Sequence, residues 1–457
     1  MFDFPKLVDP YRRDAAAILR LATPLVVNNL VIAGMALTNT LMAGRVGPEP
    51  LAGVAVGVAY YQMFWLLGLG ILMALSPLVA HAYGAGRDLE VGHRFRQGLW
   101  LSQLLALPLL LGLLAVGPVL AWFGTDVRTV PHAVSYVHVM CFGLPATLAF
   151  LAHRYTSEGL GWTRPIMFTA GVGLAVNVTG NWLFTLGNLG MPRLGATGCA
   201  IASVLAQWAM LIAMHGYQRR HAFYRRFELF ARFEWPDWRT LRNTLALGLP
   251  IGGSVVSEGA LFSVAALLMG TLGTEIVAAH QIALSWGALM FMVPLAFHSA
   301  TTIHVGHKVG AGHIVAARLA GWAGIGLCGL FMAASAVIIV LANDQIAALF
   351  TTDPDVRLLA AGLLLFVALF HVPDGLQVGA AGALRGFKDA KVPMLLNFTA
   401  YWLIGFPVAY WLGVRAGLGP SGIWTGLIVG LTACALFLGL RYRHVAARAI
   451  RRAPAPL

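Results

Sequence analysis

Twelve long apolar runs, one after another, leave this 457-residue chain very few ways to fold. They lie at approximately 15–43, 51–80, 97–122, 132–153, 165–187, 195–217, 244–270, 276–306, 314–342, 356–383, 393–414 and 420–441. Roughly 20 apolar residues cross a bilayer as one helix, and hydrocarbon offers no water to satisfy an open backbone. Barrel strands would alternate polar and apolar residues; these runs do not. The sequence therefore predicts an all-α polytopic membrane protein with twelve transmembrane helices. Charged residues make up only 11% of the chain, against about 25% in a soluble domain.

Charge placement gives the orientation. The net charge of +13 would fit nucleic acid if it were spread over one soluble face, but it is sorted by side. With the N-terminus inside, 26 Lys and Arg fall on the inner side, seven of them (Arg219, Arg220, Arg225, Arg226, Arg232, Arg239 and Arg242) in the central connection. Only Arg45, Arg128, Arg193, Arg357 and Arg415 fall outside. That bias sets both termini in the cytoplasm of a plasma (inner) membrane protein, with no nucleic-acid partner. The start, MFDFPKLVDPYRRDAAAILR, runs directly into the first helix without a cleavage site. Cys141, Cys199, Cys328 and Cys434 stand singly in apolar runs and read as small packing residues.

The chain repeats itself. A shift of 226 residues places Pro24 on Pro250, Gly44 on Gly270, Gly47 on Gly273, Glu49 on Glu275, His81 on His307 and GAG (84–86) on GAG (310–312). Gly and Pro matches carry weight because they fix backbone shape. Six helices per half is an even number, so the halves are parallel repeats about an axis along the membrane normal. The expected organisation is an N-terminal six-helix bundle (1–217), a basic cytoplasmic linker (218–243) and a C-terminal six-helix bundle with its tail (244–457). Repeats of this kind bind at their midplane and alternate access, so transport is the expected activity. No HExxH, facing aspartate pair or Ser/His set points to an enzyme.

Two carboxylates lie inside apolar runs: Glu258 in LALGLPIGGSVVSEGALFSVAALLMG (245–270) and Asp374 in LLAAGLLLFVALFHVPDGLQVGAAGAL (358–384). A charge at mid-bilayer costs roughly 2.5–3.5 kcal/mol on insertion scales, so such groups are kept where they handle an ion. Ser254 and Ser257 flank Glu258, and Gln377 lies about one turn beyond Asp374. Pro373 frees the carbonyl near Leu369 or Phe370. No Lys or Arg lies well inside an apolar run, so His280 and His371 are the available ion-pair partners. Asn39, Asn177, Gln281 and Tyr401 are further candidates for lining an ion or substrate site, although helix-to-helix hydrogen bonding is the usual role of such residues. Glu258 and Asp374 are the candidate Na⁺ ligands. His298, His304 and His307 lack a carboxylate at ligand spacing and do not read as a metal site.

NTLMAGRVGPEPLAGVAVG (39–57), LPIGGSVVSEGALF (249–262) and PDGLQVGAAGALRGFKDAKVPM (373–394) resemble the multidrug and toxic compound extrusion (MATE) family in its NorM-like branch. The resemblance covers nearly the whole chain. It implies two parallel six-helix bundles and a monomeric antiporter that exports small organic cations in exchange for Na⁺ or H⁺ without a cofactor. It also implies a cation site at Glu258 and Asp374. The family commonly has an aspartate where this chain has Asn39, and often a tyrosine where it has Phe370. An amide cannot ionise, so the resemblance leaves ion coupling to the C-terminal half. A flippase for lipid-linked saccharide or peptidoglycan precursors, from the same broader superfamily, is the alternative; it would be expected to line its cleft with basic residues.

Overall fold

The computed structural model describes residues 4–126 and 128–452; the outermost residues at both ends, assigned above to the cytoplasmic side, lie outside the described residues. Among the described residues there are helices and no strands. Eleven helices are long and apolar enough to cross a membrane, and two shorter ones bent by 49° make a twelfth span. In chain order these are α1 (Pro10–Gly44), α2 (Leu51–Gly84), α3 (Asp88–Leu114), α4 (Val130–Cys141 with Leu144–Gly159), α5 (Arg164–Thr185) and α6 (Ala196–Arg220). The second half follows as α7 (Trp238–Gly270), α8 (Thr274–Gly310), α9 (Ile314–Ala348), α10 (Pro354–Gly386), α11 (Lys391–Arg415) and α12 (Gly419–Arg452). Each corresponds to one expected apolar run.

Local chemistry explains several boundaries. The bend in α4 falls at Phe142-Gly143, and Pro145 opens the helix that follows. Proline lacks the N–H that a helix interior needs but the first turn does not. Asp353 caps α10, its Oδ1 accepting from the backbone N–H of Asp355 at 3.0 Å and of Val356 at 3.2 Å.

The repeat is visible in backbone detail. α5 widens into a π-helix at Asn181–Thr185, and α11 does so at Thr399–Gly405. Close helix contacts recur as well. A Cβ on Gly180 of α5 would lie 3.0 Å from Ala202 of α6, and one on Gly405 of α11 would lie 2.9 Å from Gly430 of α12. In lipid, small residues of this kind let helices approach closely enough for dispersion to hold them.

Two compact units emerge: Val27–Gly252, and Met1–Val26 together with Gly253–Leu457. The divisions fall inside α1 and α7 rather than in the central connection, each two residues after a repeat-equivalent proline, Pro24 or Pro250. Each repeat's first helix thus gives its N-terminal part to the unit built from the other repeat. In the unit of α8 to α12 that part is anchored electrostatically: Asp14 Oδ1 accepts from His304 Nε2 at 2.9 Å and pairs with Lys308 Nζ at 2.5 Å.

The central connection is docked onto its own unit rather than hanging free. Its apolar residues alternate with its arginines, and Tyr224, Phe227 and Leu229 are buried against Val79, Val91 and Phe95. Glu234 then receives Arg96 Nη2 at 2.7 Å, His93 Nδ1 at 2.7 Å and Arg232 Nε at 2.8 Å. Burial alone would push the Glu234 carboxyl up, but the hydrogen bonds from Arg96, His93 and Arg232 outweigh it and bring it down to about 2.

Candidate functional site

Helix α10 is held in place by its glycines. A Cβ on Gly375 would meet the Cys328 carbonyl at 2.7 Å, one on Gly379 the Ile325 Cα at 2.8 Å, and one on Gly382 the His298 carbonyl at 2.6 Å. These three lie along one side of the helix and let α8 and α9 pack directly on its backbone. The helix runs unbroken through Pro373, and the close packing fixes its rotation. Asp374 and Gln377, on other positions of the same turns, are thereby set against α7 and α12.

One amide joins the two carboxylates. Gln377 Nε2 donates to Asp374 Oδ1 at 3.2 Å and lies 3.5 Å from Glu258 Oε1, so its two hydrogens serve α10 and α7 together. Asp374 is 3% exposed and Gln377 2%, while Glu258 is half-buried. Behind the amide, Cys434 Sγ of α12 lies 3.7 Å from Gln377 Oε1 and 3.2 Å from Asn397 Oδ1. The buried Tyr401 stands within electrostatic reach of both carboxylates. Ser257 accepts a hydrogen bond from Trp402 Nε1 at 2.9 Å, and Ser254 is buried one turn before Glu258. The arrangement offers carboxylate and amide oxygens to a small cation. Two like charges held by one amide repel, and a bound cation relieves that repulsion.

The other expected residues lie elsewhere. Asn39 and Asn177 belong to the Val27–Gly252 unit, where Asn39 Oδ1 accepts from Asn181 Nδ2 at 2.8 Å and Asn177 Nδ2 at 3.2 Å. Asn39 Nδ2 donates to Ser203 Oγ at 2.9 Å. Asn39 is therefore engaged at both ends of its amide. Gln281 is exposed and, among the described residues, bonds to Ser285 of its own helix at 3.4 Å. His280 and His371 are buried, and neither bonds to a carboxylate among the described residues. His298 Nδ1 is taken by the Val378 carbonyl at 2.8 Å, and no group of three or more metal-ligating side chains occurs among the described residues.

Sequence reading missed the positive partner. Arg385, in the last turn of α10, interacts favourably with Glu258, although it lies at the very end of an apolar run. The Gln377-to-Arg385 spacing of about two turns was the available signal. Cys434 reads from the sequence as a packing residue, and its place between Gln377 and Asn397 carries no sequence signal.

Comparison with known proteins agrees in both sequence and fold. The MatE family model matches residues 24–183 and 250–411, one match in each half. The chain is 42% identical over 428 residues to the probable multidrug resistance protein NorM of Xanthomonas campestris, covering 94% of this chain and 93% of that one. It is 39% identical to the multidrug resistance protein PmpM of Pseudomonas aeruginosa, covering 96% and 94%. The crystal structure of the eukaryotic MATE transporter AtDTX14 superimposes with a TM-score of 0.88 at 20% identity, over 97% of this chain and all of that one. With both repeats matched and relatives this similar along their full length, the chain belongs to the MatE family of multidrug and toxic compound extrusion proteins.

Proposed function

We propose that this protein exports small organic cations in exchange for Na⁺ or H⁺, by alternating access in the inner membrane with both termini in the cytoplasm. The reading rests on one observation: Glu258 and Asp374, from different helices, are joined through a single amide inside the second-half unit. The multidrug resistance names of the relatives support the substrate class. Glu258 and Asp374 carry the exchanged cation, Gln377 holds their spacing, and Arg385 offsets part of the Glu258 charge. Coupling requires that cation and drug prefer different conformations, since a ligand shifts an equilibrium only by its differential affinity. The amide cluster around Asn39 has no carboxylate hydrogen-bonded to it among the described residues and plays no part in this exchange.

The test is efflux of a fluorescent organic cation from proteoliposomes under separate Na⁺ and proton gradients. Glu258→Gln and Asp374→Asn should each abolish gradient-driven export. Gln377→Leu should weaken it about tenfold, matching loss of roughly 1.4 kcal/mol in cation binding. Export at the parent rate by either carboxylate variant overturns the assignment.

A further inference from the structure

A groove of about 480 Å³ opens between the second piece of α4 and the last turns of α6. That volume lies within the usual range of small-molecule sites. Its floor is Gly216, where an added Cβ would meet nothing within 4 Å. Its walls divide by chemistry: Ala149, Leu211 and Ile212 toward the interior of the span, and His153, His215, Arg219 and Arg220 at its end.

The imidazole wall is ordered. His153 Nδ1 lies 2.9 Å from the Ala149 carbonyl; a carbonyl only accepts, so Nδ1 carries the hydrogen. His153 Nε2, 3.3 Å from His215 Nδ1, then accepts from it. With its hydrogen on Nδ1, the His215 ring presents Nε2 as an acceptor, so the pair walls the groove rather than donating into it. Phe95 packs edge-on against His153 at 5.0 Å, and Phe230 against His215 at 4.6 Å, fixing both rings. His153 is itself 2% exposed.

The two arginines are exposed, and neither joins a salt bridge among the described residues. No acidic residue lines the groove among the described residues, and Asp88, Glu90, Glu158 and Glu234 are paired with other arginines. The groove therefore presents two arginines with no salt-bridge partner among the described residues, which is the chemistry that recognises a phosphate. What continues from it is apolar. Leu205, Trp208 and Ile212 are exposed along α6 at spacings of three and four residues, on the face that ends in Gly216 and Arg219. A cationic end joined to an apolar stripe on one helix face fits an amphiphile rather than a soluble anion, and basic pockets between membrane helices hold lipid head groups.

We propose that this groove binds an anionic phospholipid, with Arg219 and Arg220 on its phosphate, the His153–His215 pair walling the groove, and an acyl chain along Ile212 and Trp208. The test uses the full-length protein in detergent micelles doped with phosphatidylglycerol or phosphatidylcholine, or supplemented with inorganic phosphate, and reads the melting temperature. Phosphatidylglycerol should raise it by about 3 °C or more over phosphatidylcholine, as a ligand specific for the folded state does. Gly216→Trp, which fills the floor, and Arg219→Gln/Arg220→Gln should each erase that gain while melting like the parent in phosphatidylcholine. No gain from phosphatidylglycerol, or an undiminished gain in both variants, overturns the site. Full reproduction by inorganic phosphate overturns the lipid assignment. Should a variant melt early in phosphatidylcholine, native mass spectrometry of its folded fraction decides: one fewer bound phosphatidylglycerol supports the site, and an unchanged count overturns it.

Discussion

Asp14 and Lys308, 294 residues apart in sequence, form a 2.5 Å ion pair that ties the first part of α1 to α8. His304 Nε2 shares the same carboxylate oxygen from one turn earlier. The Asp14 side chain is only 8% exposed, so the carboxylate is held by its two partners rather than by water. Because Met1–Val26 belongs to the unit of Gly253–Leu457, this pair is a principal polar attachment of that segment.

Asp14→Asn should therefore destabilise the protein. Removing one partner of a fully buried pair costs about 3–5 kcal/mol, and the partial exposure of Lys308 reduces this to roughly 1–3 kcal/mol. The double variant Asp14→Asn/Lys308→Met should recover most of the loss, giving a clear coupling energy in a double-mutant cycle. Thermal melting in detergent measures both. An Asp14→Asn protein that melts with the parent would show that the pair contributes nothing.

The amide cluster of the first-half unit predicts a different outcome. Asn39→Ala removes the acceptor of Asn177 and Asn181 and the donor to Ser203. Each buried polar group left unsatisfied costs about 1–3 kcal/mol, so the melting temperature should fall. The ratio of export under Na⁺ and proton gradients should stay at the parent value. A changed ratio would show that Asn39 takes part in ion coupling.

The spans and the carboxylates were legible in the sequence because both are local properties. Twenty apolar residues declare a helix wherever they occur, and Glu258 and Asp374 stand out against their own runs. Gln377 was legible too, since one helical turn fixes its distance from Asp374. Partners on other helices were not. Which residue of α12 meets Gln377 depends on helix rotation, and in α10 that rotation is set by glycines whose contacts with Ile325 and His298 have no sequence signal. Gln281 shows the converse: a polar residue in an apolar run reads as buried, yet it lies on an exposed face and bonds within its own helix. Asp14 lies near the end of a run, where carboxylates ordinarily reach water, so its pairing with Lys308 carries no sequence signal.

Glu234 gives the protein a stability term in acid whose sign follows from its environment. Burial opposes the charged form, but Arg96, His93 and Arg232 together favour it more strongly, and the carboxyl falls to about 2 from an ordinary value of 4.5. A carboxyl lowered in the folded state binds fewer protons there than in the unfolded chain, so its contribution is present in full above about 4.5 and is lost as pH falls toward 2. Glu234→Gln removes the charge at every pH and leaves Arg96, already bonded to the Glu228 carbonyl, without its counter-ion. Melting curves of parent and variant should lie furthest apart at neutral pH and converge between about 4.5 and 2. A gap that stays constant down that range would show that the Glu234 network stabilises the docked connection through packing rather than charge.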